Sequence, residues 1–250
     1  MILVSVLEFV LTIAWSISMK TAIVITGQTR SAAENAPSII EHLIDRFDAD
    51  VIINTWTPKD LLDREGRPTN ITWLDRVVEL YNPTIMLTED FDQSNMISII
   101  KKNLPTNKTA YDGSWAEETK IENVFYMWYK IWQASMQKRL FETTTKVKYD
   151  RIIRLRFDLT FDEFPDIVPK HNEIYIPEGF DHRGGVNDLL AVTTGQTFDT
   201  LANIYQGLFH YANHTEIGFH PEGIYRRFLE SSKISIKRFK LSYKLKGVYV

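Results

Sequence analysis

Short apolar runs that stop abruptly and give way to helix-patterned stretches constrain this chain more than any other feature. The run 21–26 (TAIVIT) ends at Gly27, 51–54 ends in Asn54-Thr55-Trp56, and 83–87 forms a third such run. Continuous apolar segments this short, bounded by turn residues, read as strands buried on both faces. Between them, Ile39, Ile40, Leu43, Ile44 and Phe47 share one face of a helix predicted to open at Pro37, and 72–81 is also helical. A loop over 106–116, a long helix over 118–143 and a strand over 149–161 follow. Shorter strands at 173–176 and 189–193 precede helices at 197–207 and 221–229. Strand and helix in alternation imply βαβ crossovers. The expected class is α/β, a mostly parallel open sheet with helices on both faces, in one domain over 19–250.

Composition narrows the chemistry. The 250 residues contain no cysteine, which removes disulfides, thiolate metal sites and a cysteine nucleophile together. Lys and Arg total 29 against 32 Asp and Glu, a net charge of −3 that argues against a nucleic-acid partner. Residues 1–18 (MILVSVLEFVLTIAWSIS) are apolar apart from Glu8 and a few hydroxyls. They read as an extension ahead of a start at Met19, as an anchor allowing membrane contact, or as a signal peptide. The basic leader and small-residue cleavage site of a signal peptide are missing, and Glu8 costs a membrane span roughly 3 kcal/mol. Location is expected in the cytoplasm or on the cytoplasmic face of a membrane.

In open α/β sheets ligands sit beyond the carboxyl ends of the strands. Four stretches qualify here: 27–30, 54–56, 154–158 and 187–188. The third is the most telling, Tyr149-Asp150-Arg151-Ile152-Ile153-Arg154-Leu155-Arg156-Phe157-Asp158. If the strand continues, alternation puts Arg154, Arg156 and Asp158 on one face. Guanidinium forks match phosphate oxygens, so this face suits a diphosphate, with Asp158 on a divalent cation or a sugar. A solvated edge strand with self-paired charges is the competing explanation. The Gly27-Gln28-Thr29-Arg30 turn permits close backbone approach, although it is neither a Walker loop nor a dinucleotide fingerprint. Trp56 serves either as a stacking plate or as core. The aromatic helix 123–136 is mostly core, with Tyr126, Tyr129 and Lys130 able to reach a ligand. Gly184-Gly185 precede Asn187-Asp188 in a lid or a hairpin. His220-Pro221-Glu222 starts a helix whose Glu222 is a candidate base. His171, His182, His210 and His214 lack metal-ligand spacing and read as surface residues.

In this order, the segments resemble a family of small glycosyltransferases found among bacterial polysaccharide-synthesis and viral proteins. The matching parts are Thr26-Gly27-Gln28-Thr29-Arg30, Asn54-Thr55-Trp56, Asn123 through Ile131, Tyr149 through Asp158, Ile174-Tyr175-Ile176-Pro177, Gly185-Val186-Asn187-Asp188 and Pro221-Glu222. The resemblance implies a GT-A-like fold, with a nucleotide-binding half over 19–165 and an acceptor half over 166–250. It also implies transfer of a sugar from a nucleotide-sugar donor to a hydroxyl of a glycan or lipid-linked acceptor. Gly27, Gln28, Arg30, Asn54, Trp56, Arg154, Arg156 and Asp158 would then bind the donor, with Asp188 or Glu222 as catalytic base. Three positions depart from the pattern. Arg156 replaces the first acid of an Asp-x-Asp, which makes Mn²⁺ or Mg²⁺ on Asp158 an open expectation, because arginines can neutralise a leaving diphosphate themselves. Asn54 stands where His is expected, and Gln133 where Lys is expected. Sulfotransfer, or a nucleotide- or glycan-binding module without turnover, are the alternatives.

Overall fold

The computed structural model describes residues 19–29, 31–57, 71–90, 98–100, 102, 121–214 and 220–245. The extension 1–18, Arg30 and the loop 106–116 therefore lie outside the described residues. The chain is α/β. Strands β1 (Thr21–Gly27), β2 (Asp50–Trp56), β3 (Ile85–Glu89), β4 (Arg151–Leu155), β6 (Glu173–Pro177), β7 (Leu190–Thr193) and β8 (Ser235–Phe239) form one sheet. Its order is β3-β2-β1-β4-β7-β6-β8, while β5 (Leu159–Phe161) pairs separately with β9 (Tyr243–Leu245). The pairs β3-β2, β2-β1, β1-β4 and β6-β8 are parallel, and β7 runs against both of its neighbours.

Alternation along the strands divides the interior in two. Ala22, Val24, Ile52, Ile152 and Ala191 face one core, shared with helices α3 (Ile121–Thr145), α4 (Gly195–Ala202), α5 (Ile204–His214) and α6 (Pro221–Ser231). Ile23, Ile25, Ile53, Ile153 and Val192 face the other, packed against α1 (Ala32–Ile39), α2 (Ile71–Tyr81) and the β5–β9 pair. Helices thus cover both faces, as the apolar runs require.

Two elements depart from the expected pattern. Helix α1 starts at Ala32, so Pro37 lies inside it rather than at its head. The proline ring deletes one hydrogen bond and crowds the preceding turn, and the helix continues as a wider π turn over Ile40–Asp45. The second departure is functional. The single strand expected over 149–161 breaks after Leu155, and the chain turns at Arg156-Phe157-Asp158 before entering β5. The apolar alternation survives the break, because Leu155, Phe157, Leu159 and Phe161 all enter the same core. The break leaves Arg154 near the end of β4, with Arg156 and Asp158 in the turn beyond it.

Candidate active site

A cleft of about 510 Å³ opens at this end of the sheet, within the size range of small-molecule sites. It crosses the ends of adjacent strands: Trp56 from β2, Thr26 and Gly27 from β1, Arg154, Arg156 and Asp158 from β4 and its turn, and Asp188 and Leu189 before β7. Antiparallel β7 supplies the last pair because it begins where β4 ends, with Leu155 opposite Leu190. Pro221 and Glu222, from the first turn of α6, close the far wall.

Arg154 decides what the cleft can hold. Only 3% of the residue is exposed, and Nη1 donates to the Asp188 carbonyl oxygen. Nε and Nη2 have no hydrogen-bond partner among the described residues. Burial lowers its pKa and nearby Asp188 counters that effect; a guanidinium still stays charged throughout the ordinary pH range. A buried cation with two unused donors is costly unless an anion completes it. Arg156 is arranged differently. It is 37% exposed at the side chain and forks onto Asp158, Nε to Oδ1 at 3.0 Å and Nη2 to Oδ2 at 2.5 Å. Desolvation opposes its charge, but Asp158 and the further carboxylates Asp188 and Glu222 outweigh that and raise its pKa.

The opposite wall is acidic. Burial, then the charge of Glu222, raises the Asp188 carboxyl to about 6, against the pull of Arg154, Arg156 and His220. Glu222 Oε2 lies 2.7 Å from His220 Nδ1. A Cβ on Gly185 would come within 2.3 Å of the Glu222 backbone carbon, so glycine there lets the loop lie against the head of α6. Val186 N then donates to the Glu222 carbonyl at 3.2 Å. Asn187 is fully buried and ties this loop together, donating to the Gly179 carbonyl and to the Tyr243 hydroxyl. The Gly184–Asp188 stretch is therefore a fastened wall.

The remaining expected site residues fall into three groups. Gly27 ends β1 at φ +112°, a conformation side chains disfavour, and its missing Cβ faces open space in the cleft beside Gln28. The α1 N-terminus follows at once, and Ser31 at its head lines the cleft without capping the helix. Trp56 reaches the cleft but is 5% exposed. Lys130 Nζ sits 3.7 Å from its ring centroid and Tyr129 stacks on it at 5.9 Å, so Trp56 is a packed wall rather than an open plate. Asn54 does not reach the cleft: it is fully buried and donates to Gln137 of α3. Lys130 likewise points inward to Glu89 at 2.6 Å, and burial lowers its pKa to about 8.

His182, read from the sequence as a surface residue, lines the cleft. Phe180, Tyr126, Met127 and Leu245 also line it, and of these the sequence points to Tyr126 alone as a ligand contact. No periodic signal marks Phe180, which lies in irregular chain, or Leu245, which the short strand β9 brings there by pairing with β5.

Asp158, the candidate metal ligand, is paired with Arg156. Both oxygens of Asp158 are engaged by Arg156, and among the described residues no three His, Asp or Glu side chains converge suitably. No protein-family model matches the chain, and no curated protein matches it significantly. Among the described residues no helix is long and apolar enough to cross a membrane.

Proposed function

We propose that this protein is a glycosyltransferase that moves a sugar from a nucleotide-sugar donor to a hydroxyl of a glycan or lipid-linked acceptor. The observation that carries the reading is Arg154, a buried guanidinium with two unused donors beneath a cleft at the strand ends. Those donors lie under the cleft floor, so a nucleoside diphosphate is drawn by the guanidinium charge and supplies the oxygens they lack once the side chain turns toward it. The N-terminus of α1, just past Gly27, adds backbone N–H groups and the positive end of its dipole.

In the reaction the bond between the sugar's anomeric carbon and the diphosphate oxygen breaks. Its electron pair leaves with the diphosphate, whose growing charge Arg154 and Arg156 stabilise. The acceptor oxygen bonds to the anomeric carbon and its proton passes to Asp188. A carboxylate with a pKa near 6 suits that task at neutral pH, being ionised yet basic enough to take a proton. Glu222, held against His220, keeps Asp188 basic through its charge. Because Arg156 engages both Asp158 oxygens, no step is routed through a metal. We place the reaction in the cytoplasm or on the cytoplasmic face of a membrane, with the apolar 1–18 segment as the membrane contact.

The test is a panel of nucleotide sugars with product detection, run with Mn²⁺, with Mg²⁺ and with chelator. Release of a nucleoside diphosphate from one donor, persisting in chelator, is the expected result. Failure to bind any nucleoside diphosphate and to hydrolyse any donor overturns the proposal. Selective binding of adenosine 3′,5′-bisphosphate would instead favour sulfotransfer.

A further inference from the structure

Phe180 is out of place by ordinary folding criteria. It is 45% exposed, and no other Phe, Tyr or Trp among the described residues is as exposed. Its backbone sits at φ +56°, directly after Gly179 at φ +87°. A bulky side chain is disfavoured there and persists only where its surroundings over-determine it.

The surroundings do so. Glu178 N donates to the Phe239 carbonyl at 2.9 Å, and Arg238 donates to the Pro177 carbonyl at 2.9 Å. Arg238 also forks onto Asp181 at 2.8 Å to each oxygen, while Asp181 accepts from Asn187 N at 2.8 Å. The ring leans on Tyr243 at 5.5 Å and leaves its remaining surface at the cleft. Folding alone gives no reason to fix an aromatic ring in a disfavoured conformation at a cleft mouth.

The sheet order says which ligand part the ring meets. From β2, which ends in Trp56, to β6, which leads into Phe180, the order is β2-β1-β4-β7-β6. Four strand spacings span about 19 Å, with Arg154 on the middle strand and Asp188 between it and Phe180. A diphosphate on Arg154 divides the cleft into a β1–β2 side and a β7–β6 side. Asp188, the proton acceptor, lies on the second side, so the hydroxyl that loses its proton lies there too.

We infer that the Phe180 ring is the stacking platform for the acceptor, and that the acceptor presents a pyranose ring to it. The apolar C–H face of a sugar matches the electron-rich face of an aromatic ring. This inference rests on the glycosyltransferase reading for its orientation, although the stacking can be measured without turnover.

The experiment is saturation-transfer NMR on the full chain with methyl glycosides of glucose, galactose, mannose and N-acetylglucosamine. Wild type, Phe180→Ala and Phe180→Trp are compared, and UDP, GDP and CDP are titrated in parallel. At least one glycoside is expected to show saturation of its ring C–H protons. That signal falls about fivefold or more in Phe180→Ala and returns in Phe180→Trp, while nucleoside diphosphate affinity stays within about twofold. Equal saturation in Phe180→Ala overturns the inference, as does no saturation in wild type. Loss of diphosphate binding in Phe180→Ala also overturns it, by assigning the ring to the donor. Glycoside stacking in a protein that binds no nucleoside diphosphate leaves the platform standing and removes the transferase reading.

Discussion

Strand β4 carries a buried arginine toward each end, and the two are opposites. Arg151, 4% exposed, donates from Nε to Thr21 and from Nη1 to Asp166 and the Ile167 carbonyl, and lies over the Phe47 ring. Arg154, 3% exposed, leaves Nε and Nη2 without partners among the described residues. The hollows at the two ends of the sheet repeat the contrast. The larger, about 740 Å³, lies beside Met19 and Tyr149, and its buried cation Lys138 is paired with Glu142 at 3.0 Å and Asp199 at 3.1 Å. The smaller holds Arg154. Size alone would select the end whose buried cation is already paired. An unsatisfied buried charge selects the end where a ligand completes the structure.

The largest expected effect crosses the two arginines. Arg154→Met should lower kcat/KM for the donor by about 100-fold or more. It should also leave thermal stability unchanged or raise it by about 1 kcal/mol, since an unpaired buried charge gives way to an apolar side chain. Arg151→Met should do the reverse, losing about 2 kcal/mol of stability with its hydrogen bonds while transfer is retained. Chemical denaturation and steady-state kinetics on both variants check the crossing; parallel losses would break the comparison.

Lys138→Met extends it to the larger hollow. Removing the cation strands Glu142, whose side chain is 7% exposed, and should cost about 3 kcal/mol in a denaturant melt. Donor kinetics should not change.

A third prediction concerns pH. Asp188 must be ionised to accept a proton, so kcat/KM should rise with pH through about 6 and level off above it. The same raised pKa means that the folded protein binds this proton more tightly than the unfolded chain. Its stabilising contribution is thus full below the unfolded pKa and lost as pH rises through about 6. Asp188→Asn should therefore abolish the pH step and lower kcat by about 100-fold or more. In thermal melts it should raise stability at pH 7.5 by about 1–2 kcal/mol relative to wild type, and by little at pH 4. A variant no more stable at pH 7.5 than at pH 4, relative to wild type, would contradict the assignment.

The smallest effect is at Phe180. Phe180→Gly should relieve the positive φ and stabilise the fold by about 0.5–1 kcal/mol. Destabilisation instead would mean that the ring's contact with Tyr243 outweighs its strain.

The amino-acid pattern made the sheet legible because buried parallel strands are continuous apolar runs, as Ala22–Ile25 in β1, Val51–Ile53 in β2 and Ile152–Ile153 in β4 are. It also pointed to Arg154 and Asp188, because ligand sites of such sheets gather at strand ends, and both line the cleft there. It failed where polarity decides nothing. The break after Leu155 is invisible because Phe157 and Leu159 keep alternating into the same core through the turn. Asn54 looked like a ligand group, but a helix above it offered Gln137 as partner. Phe180 lies in irregular chain, and ties from Arg238, Phe239 and Asn187 hold that loop at the cleft. The edge strands β8 and β9 were missed because their basic residues mask the alternation, as the exposed positions in β8 show.

The central claim is that Arg154 awaits a diphosphate. Calorimetric titration of UDP, GDP and CDP into wild type, Arg154→Met and Arg151→Met tests it without requiring turnover or an acceptor. At least one nucleoside diphosphate should bind wild type and Arg151→Met alike and lose about 100-fold or more in affinity to Arg154→Met. Equal affinity in the Arg154 variant, or no binding by the wild-type protein, would contradict the account.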